Sequence, residues 1–171
     1  MSATPVRRPA LRRALVAVTR STSPSRSTDV ALLAVRVALA WIFTYYGGAK
    51  LFGWFHGAGI HGTADFFSHT AHLHPGTFFA VLGGCIELGG SIALVVGLGT
   101  RLVGLALVGD MVMAVITVTG QNGINSEKLD PGYELNLALA ALALVVLLLG
   151  AGRYSLDALA ARRLERAGGR P

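Results

Sequence analysis

Four long apolar stretches dominate the chain, and nearly all charged positions fall at its two ends or in the connections between stretches. The stretches run over residues about 30–52, 77–98, 102–119 and 133–149. Each approaches the ~20 residues that carry a helix across a ~30 Å hydrocarbon core at ~1.5 Å per residue. The third and fourth are near the short limit, which a locally thin bilayer or ragged helix ends accommodate. The pattern predicts an all-α fold: an integral membrane four-helix bundle over residues 29–152, with tails at 1–28 and 153–171. Buried helices of a soluble domain are the competing reading, but four such stretches leave too few polar faces to hold the chain in water.

Composition supports the membrane reading. The chain has 171 residues, is 53% hydrophobic and only 14% charged, and its mean hydropathy is +0.57. That is too apolar for an ordinary soluble domain. The net charge of +6 comes from 15 Lys plus Arg against 9 Asp plus Glu. The excess sits at the termini without interleaved aromatics, so it argues for membrane orientation and against nucleic acid. The single cysteine, Cys85, cannot form an intramolecular disulfide and lies in an apolar stretch, where a thiol behaves as a small hydrophobe.

The basic residues set the expected topology. The N-terminal tail carries Arg7, Arg8, Arg12, Arg13, Arg20 and Arg26, the connection between the second and third stretches carries Arg101, and the C-terminal tail carries Arg153, Arg162, Arg163, Arg166 and Arg170. These segments are expected on the cytoplasmic side of the membrane, with both termini inside. The connection over 53–76 has no Lys or Arg, and the one over 120–132 has only Lys128, beside Glu127 and Asp130. Both are expected outside. The longest apolar run of the N-terminal tail, Ala14 to Val18, is too short for the core of a secretory signal. Near the C-terminus, Leu156, Leu159 and Leu164 alternate with Arg as in an interfacial amphipathic helix, with a frayed polar tail as the alternative.

Gly97, Gly99 and Thr100 punctuate a tight turn that predicts an antiparallel hairpin of the second and third helices. Small residues four apart, such as Ala49 with Gly53 and Ala80 with Gly84, suit close helix approach.

Five ionisable side chains fall within or at the edge of the spans: Arg36, Lys50, Glu87, Asp110 and Glu134. Charge at that depth is costly unless paired or hydrated, and is a functional signal by default. Depth along the helices pairs Lys50 with Glu134, and Arg36 with Asp110 or Glu87, since a guanidinium can bridge two carboxylates. The bland account is that these groups only fix helix register as buried ion pairs. The functional account is a polar pocket that carries protons or binds a ligand. All five histidines, His56, His61, His69, His72 and His74, lie in the first outer connection. His69, His72 and His74 are weak metal candidates, because no cysteine joins them and no ligand spacing is evident, so no metal site is expected. The stronger reading is a solvated loop in which Phe66, Phe67, Phe78 and Phe79 anchor at the interface.

The run from Arg36 to Gly47-Gly48-Ala49-Lys50, the segment Glu87-Leu88-Gly89-Gly90, the turn Gly97-Leu98-Gly99-Thr100-Arg101, then Gly132-Tyr133-Glu134 and the late Gly150-Ala151-Gly152-Arg153-Tyr154-Ser155-Leu156-Asp157 together resemble the DoxX family of bacterial membrane proteins. The resemblance covers about 29–157. Asp110 and the histidines match no mark of the family, so roles for them rest on the residues alone. The resemblance implies a four-helix membrane bundle that serves as subunit or accessory of a quinone-linked or thiol-stress oxidoreductase system. It implies fold more firmly than chemistry. The chain has no haem-attachment motif, iron–sulfur spacing or thiol pair. No intrinsic cofactor is expected, and a redox group would be a quinone or belong to a partner. The expected partners are the lipid bilayer, a membrane-associated oxidoreductase subunit and further copies of the chain. The alternative is a small-solute transporter or lipid-binding membrane protein without redox chemistry.

Overall fold

The computed structural model describes residues 25–125 and 132–168, and among them every regular element is helical. The Arg-rich tail up to residue 24, the charged group Glu127, Lys128 and Asp130, and Arg170 lie outside the described residues. Helix α1 spans Arg26–Phe52, α2 Gly59–His69, α3 Gly76–Val96, α4 Thr100–Ala114, α5 Glu134–Leu149 and α6 Leu156–Gly168. A π-helical turn, Val115–Thr119, and a 3₁₀ turn, Gly120–Asn122, extend α4.

Three of these helical segments are long and apolar enough to cross a membrane: Arg26–Phe52 with 27 residues, Gly76–Val96 with 21 and Thr100–Asn122 with 23. The fourth apolar stretch forms α5, a helix of 16 residues that rises only about 24 Å. The all-helical membrane reading therefore holds.

The helix ends follow local chemistry. The Ser25 hydroxyl accepts from the Thr28 N–H at 3.3 Å and caps α1, which closes on Gly53 in the left-handed region. Between α3 and α4 the chain reverses within three residues. Gly97 and Gly99 both have positive φ, at 72° and 59°, a conformation that costs glycine nothing.

Packing begins at close helix contacts made by glycine. A Cβ at Gly47 would lie 2.6 Å from the Leu88 nitrogen, so α1 and α3 touch backbone to backbone there. A Cβ at Gly104 would lie 2.9 Å from the Ala143 carbonyl oxygen, which places α4 equally close to α5. Helix α1 packs on α3, α3 on α4, α4 on α5 and α5 back on α1. Between them Leu39, Phe43, Leu94, Leu107, Ala143 and Val146 form a fully buried core. Trp41, Ile92, Leu105, Ile116 and Leu148 are exposed on the outside. Such an apolar exterior is what a bilayer covers.

The connection over 53–76 holds more structure than a solvated loop. Helix α2 packs against α3 and α1, with Thr63 and Ala64 buried. The C-terminal segment is helical as α6.

Candidate functional site

The buried charges separate into two groups at opposite ends of the helices. At the end where α3 turns into α4, Arg36 is completely buried. Its guanidinium donates to backbone carbonyls only: Nε to Leu94 at 2.8 Å, Nη2 to Val95 at 3.0 Å, and Nη1 to Ala151 at 2.8 Å and to Tyr154 at 2.9 Å. Leu94 and Val95 belong to the last turn of α3, whose carbonyls have no partner within the helix. Arg36 thus satisfies a helix C-terminus and ties it to the segment after α5.

Asp157 does the reciprocal work on α4. Its carboxylate accepts from the Gly99 N–H at 2.8 Å, the Thr100 N–H at 3.0 Å and the Thr100 hydroxyl at 2.9 Å. An acidic cap from another part of the chain thereby closes the N-terminus of α4. Asp29, also buried, accepts from the Arg153 N–H at 2.9 Å. Arg101 lies in the first turn of α4 beside this junction. The arrangement is a structural clamp, and the expected pairing of Arg36 with Asp110 or Glu87 is not formed. A guanidinium that gives four of its five N–H donors to carbonyls at this end of the helices is held there, away from the carboxylates deeper in the membrane.

The second group is built around Glu87, near the middle of α3. Lys50 Nζ donates to Glu87 Oε1 at 2.6 Å. The partner of Lys50 is therefore Glu87 and not Glu134. The reason lies one turn earlier on α1: Gly47 brings that helix onto Glu87 and Leu88 so closely that the lysine side chain reaches the carboxylate directly. Glu134 opens α5 with its side chain exposed, and it makes no ion pair among the described residues.

Asp110 of α4 faces the same pair, its carboxyl directed at that of Glu87 and within electrostatic reach of Lys50. It lies against the bare backbone of Gly83 on α3. Glu87 Oε2 and Asp110 Oδ2 are buried, and neither has a hydrogen-bond partner. Two carboxyl groups share one ammonium, and one oxygen of each is left without a donor, an arrangement that buried polar groups seldom tolerate.

These three side chains line a cavity of about 640 Å³ between α1, α3, α4 and α5, with Phe66 and Phe67 of α2 on its wall. The size falls in the range of small-molecule sites, which are characteristically apolar with a few convergent polar groups. The π-helical turn matters here: its wider winding turns Thr117, Val118 and Thr119 together onto the cavity. Thr119 Oγ1 donates to Asn136 Oδ1 at 3.3 Å, and Asn136 Nδ2 donates to Met111 Sδ at 3.6 Å, which joins the wall across α4 and α5.

Of the five charges singled out in the sequence, three converge here, one serves the clamp and one is exposed. Asn136 and the π turn were not foreseen, because neither a lone Asn nor a local change of helical winding leaves a periodic trace. The histidines do not converge. His69 Nδ1 pairs with Asp65 Oδ1 at 3.0 Å on the surface, and among the described residues no group of three or more His, Cys, Asp or Glu could hold a metal ion.

Fold and site together define a small integral membrane protein with a charged recess inside its helical domain. The family model described as DoxX matches residues 31–120, more than half of the chain, and the protein belongs to the DoxX family. No curated protein and no solved structure matches it.

Proposed function

We propose that the chain is a four-helix membrane bundle of a bacterial plasma membrane that serves an oxidoreductase system by holding a quinone-class carrier in the cavity at Lys50, Glu87 and Asp110. One observation carries the reading: an apolar cavity of about 640 Å³ inside the membrane domain has the side chains of one lysine and two acids in its wall. A lipid-soluble carrier with a small oxygenated ring and an apolar substituent matches that division of polarity. Lys50 supplies the hydrogen-bond donor for a ring oxygen, and the carboxylates supply proton acceptors. No thiol pair or haem motif is present in the sequence, so electrons would pass to a partner.

In this reading α5 is the fourth span, its short rise met by local thinning of the bilayer. The basic residues at both ends of the chain support cytoplasmic termini. The first test is mild-detergent purification from the native membrane, followed by mass spectrometry of everything retained. Stoichiometric quinone or an oxidoreductase subunit is the expected result. A clean homo-oligomer carrying only phospholipid would overturn the reading in favour of lipid binding or transport.

A further inference from the structure

The two carboxyl oxygens that lack a partner are closed off from the cavity. Glu87 Oε2 and Asp110 Oδ2 have almost no accessible surface, so no ligand atom comes between them. What the two side chains meet is each other: their carboxyl groups lie within hydrogen-bonding reach, α3 against α4. Two ionised carboxylates only accept, so a contact between them forms no bond and is repulsive. One proton turns the same contact into a charge-assisted O–H···O⁻ hydrogen bond. The charges on the cavity wall point the same way. Among the described residues its ionisable side chains are Tyr46 and Lys50 of α1, Glu87 of α3 and Asp110 of α4, with none from α2 or α5. With both acids ionised, one ammonium would leave a negative charge unbalanced at a depth where charge is costly, and a single proton removes it.

We infer that Glu87 and Asp110 form a proton-binding site inside the membrane domain, holding one exchangeable proton between their carboxyls and so making the site neutral together with Lys50. Pairs of acids that share one proton are an established device for keeping two carboxyls in contact. The two members differ in access. Glu87 is 1% exposed and held by Lys50 Nζ at 2.6 Å, whereas Asp110 is partly exposed and lines the cavity. The proton therefore enters and leaves through Asp110, to and from whatever group occupies the cavity, and Glu87 is the fixed member. Uptake forms an O–H bond on the pair and breaks one on the donor, release does the reverse, and nothing is oxidised or reduced. The inference sharpens the role given to the carboxylates above to a single shared proton, and it does not depend on the ligand being a quinone.

The test is infrared spectroscopy of the full chain in dodecyl maltoside, a detergent without a carbonyl, at neutral pH in ordinary and in heavy water. The expected result is the carbonyl stretch of a protonated carboxylic acid in the parent, moved to lower frequency in heavy water because the proton exchanges through the cavity. Asp110→Asn and Glu87→Gln should each lose this band. Each should also keep its midpoint of thermal inactivation within about 3 °C of the parent, because an amide copies the protonated acid in shape, donor and charge. Joining the two substitutions leaves Lys50 without a carboxylate and should lower the midpoint by more than the two single changes together. Absence of the band from the parent would overturn the inference by showing both acids ionised. A band that does not move in heavy water would overturn the exchange, and one that survives either substitution would place the proton elsewhere. Failure of either single variant to fold would also overturn it, because an amide would then not stand in for a protonated acid. No quinone enters this measurement, so its failure leaves the quinone-class reading to be decided by what the purified protein retains.

Discussion

Replacing Arg36 by methionine tests the clamp most directly, because Met fills similar space without a donor. Arg36 donates to four carbonyls, of which those of Leu94 and Ala151 are fully buried and those of Val95 and Tyr154 are partly accessible. A buried carbonyl left without a donor costs about 1–3 kcal/mol, whereas accessible ones recover water. Counting only the two buried oxygens at about 2 kcal/mol each gives a loss of about 4 kcal/mol. For a chain of this size that corresponds to a fall of roughly 8–16 °C in the midpoint of thermal inactivation. The assay is the fraction of detergent-solubilised protein that elutes as a monodisperse peak after heating, at fixed detergent concentration. Arg36→Lys should lose about half as much, since a point-charge ammonium cannot reach both α3 and the 151–154 segment with fork geometry. Ligand binding at the Lys50 end should survive in both variants at temperatures where they remain folded. A midpoint for Arg36→Met within about 3 °C of the parent would refute the reasoning.

Asp157→Ala removes the cap from α4 and should cost about 1–2 kcal/mol. Combined with Arg36→Met its effect should be less than additive, because both residues secure one junction, and a double-mutant cycle measures this. Gly47→Ala should separate α1 from α3 and lower stability by about 1–3 kcal/mol, whereas Gly89→Ala, whose added Cβ meets nothing within 4 Å, should be neutral or slightly stabilising by the same heating assay. Exchanging charges in Lys50→Glu with Glu87→Lys should restore part of the stability that either single change removes, and no such rescue is expected when Lys50→Glu is paired with Glu134→Lys. Glu134→Gln alone should stay within about 0.5 kcal/mol of the parent.

The sequence carried the helices well and the partners of the charges poorly. Runs of apolar residues are long-range, redundant signals, so three spans and an additional apolar helix could be read directly from them. Pairing depends on helix rotation to within a fraction of a turn, and depth alone does not supply it. Depth put Lys50 beside Glu134, yet Gly47 had already fixed which face of α1 meets α3, and Lys50 follows it on that face. Arg36 escaped the same logic for a different reason. Its acceptors are backbone oxygens, which every residue carries and no side-chain pattern reveals. One clue was available in the spacing of motifs: the Gly97–Arg101 turn and the Gly150–Asp157 segment are short, polar and at the same end of their helices. Asp157 to Thr100 is the contact that joins them.

Burial of charge does not by itself separate structure from function in this protein, since Arg36, Asp157 and Glu87 are all within 2% of complete burial. Satisfaction separates them. Every nitrogen of the Arg36 guanidinium has an acceptor, and both Asp157 oxygens have donors, so these two groups are satisfied without a ligand. At the other end, evolution could have removed the cost of Glu87 and Asp110 by a single apolar substitution, because exchanging a strained buried polar group for a hydrophobe is often stabilising. The chain instead retains two carboxylates, one lysine and an apolar cavity around them. An unmet hydrogen-bonding requirement in a folded core calls for something other than the fold to meet it, and that is the ground for placing the proposed function at the recess of Lys50, Glu87 and Asp110 rather than at the more deeply buried arginine.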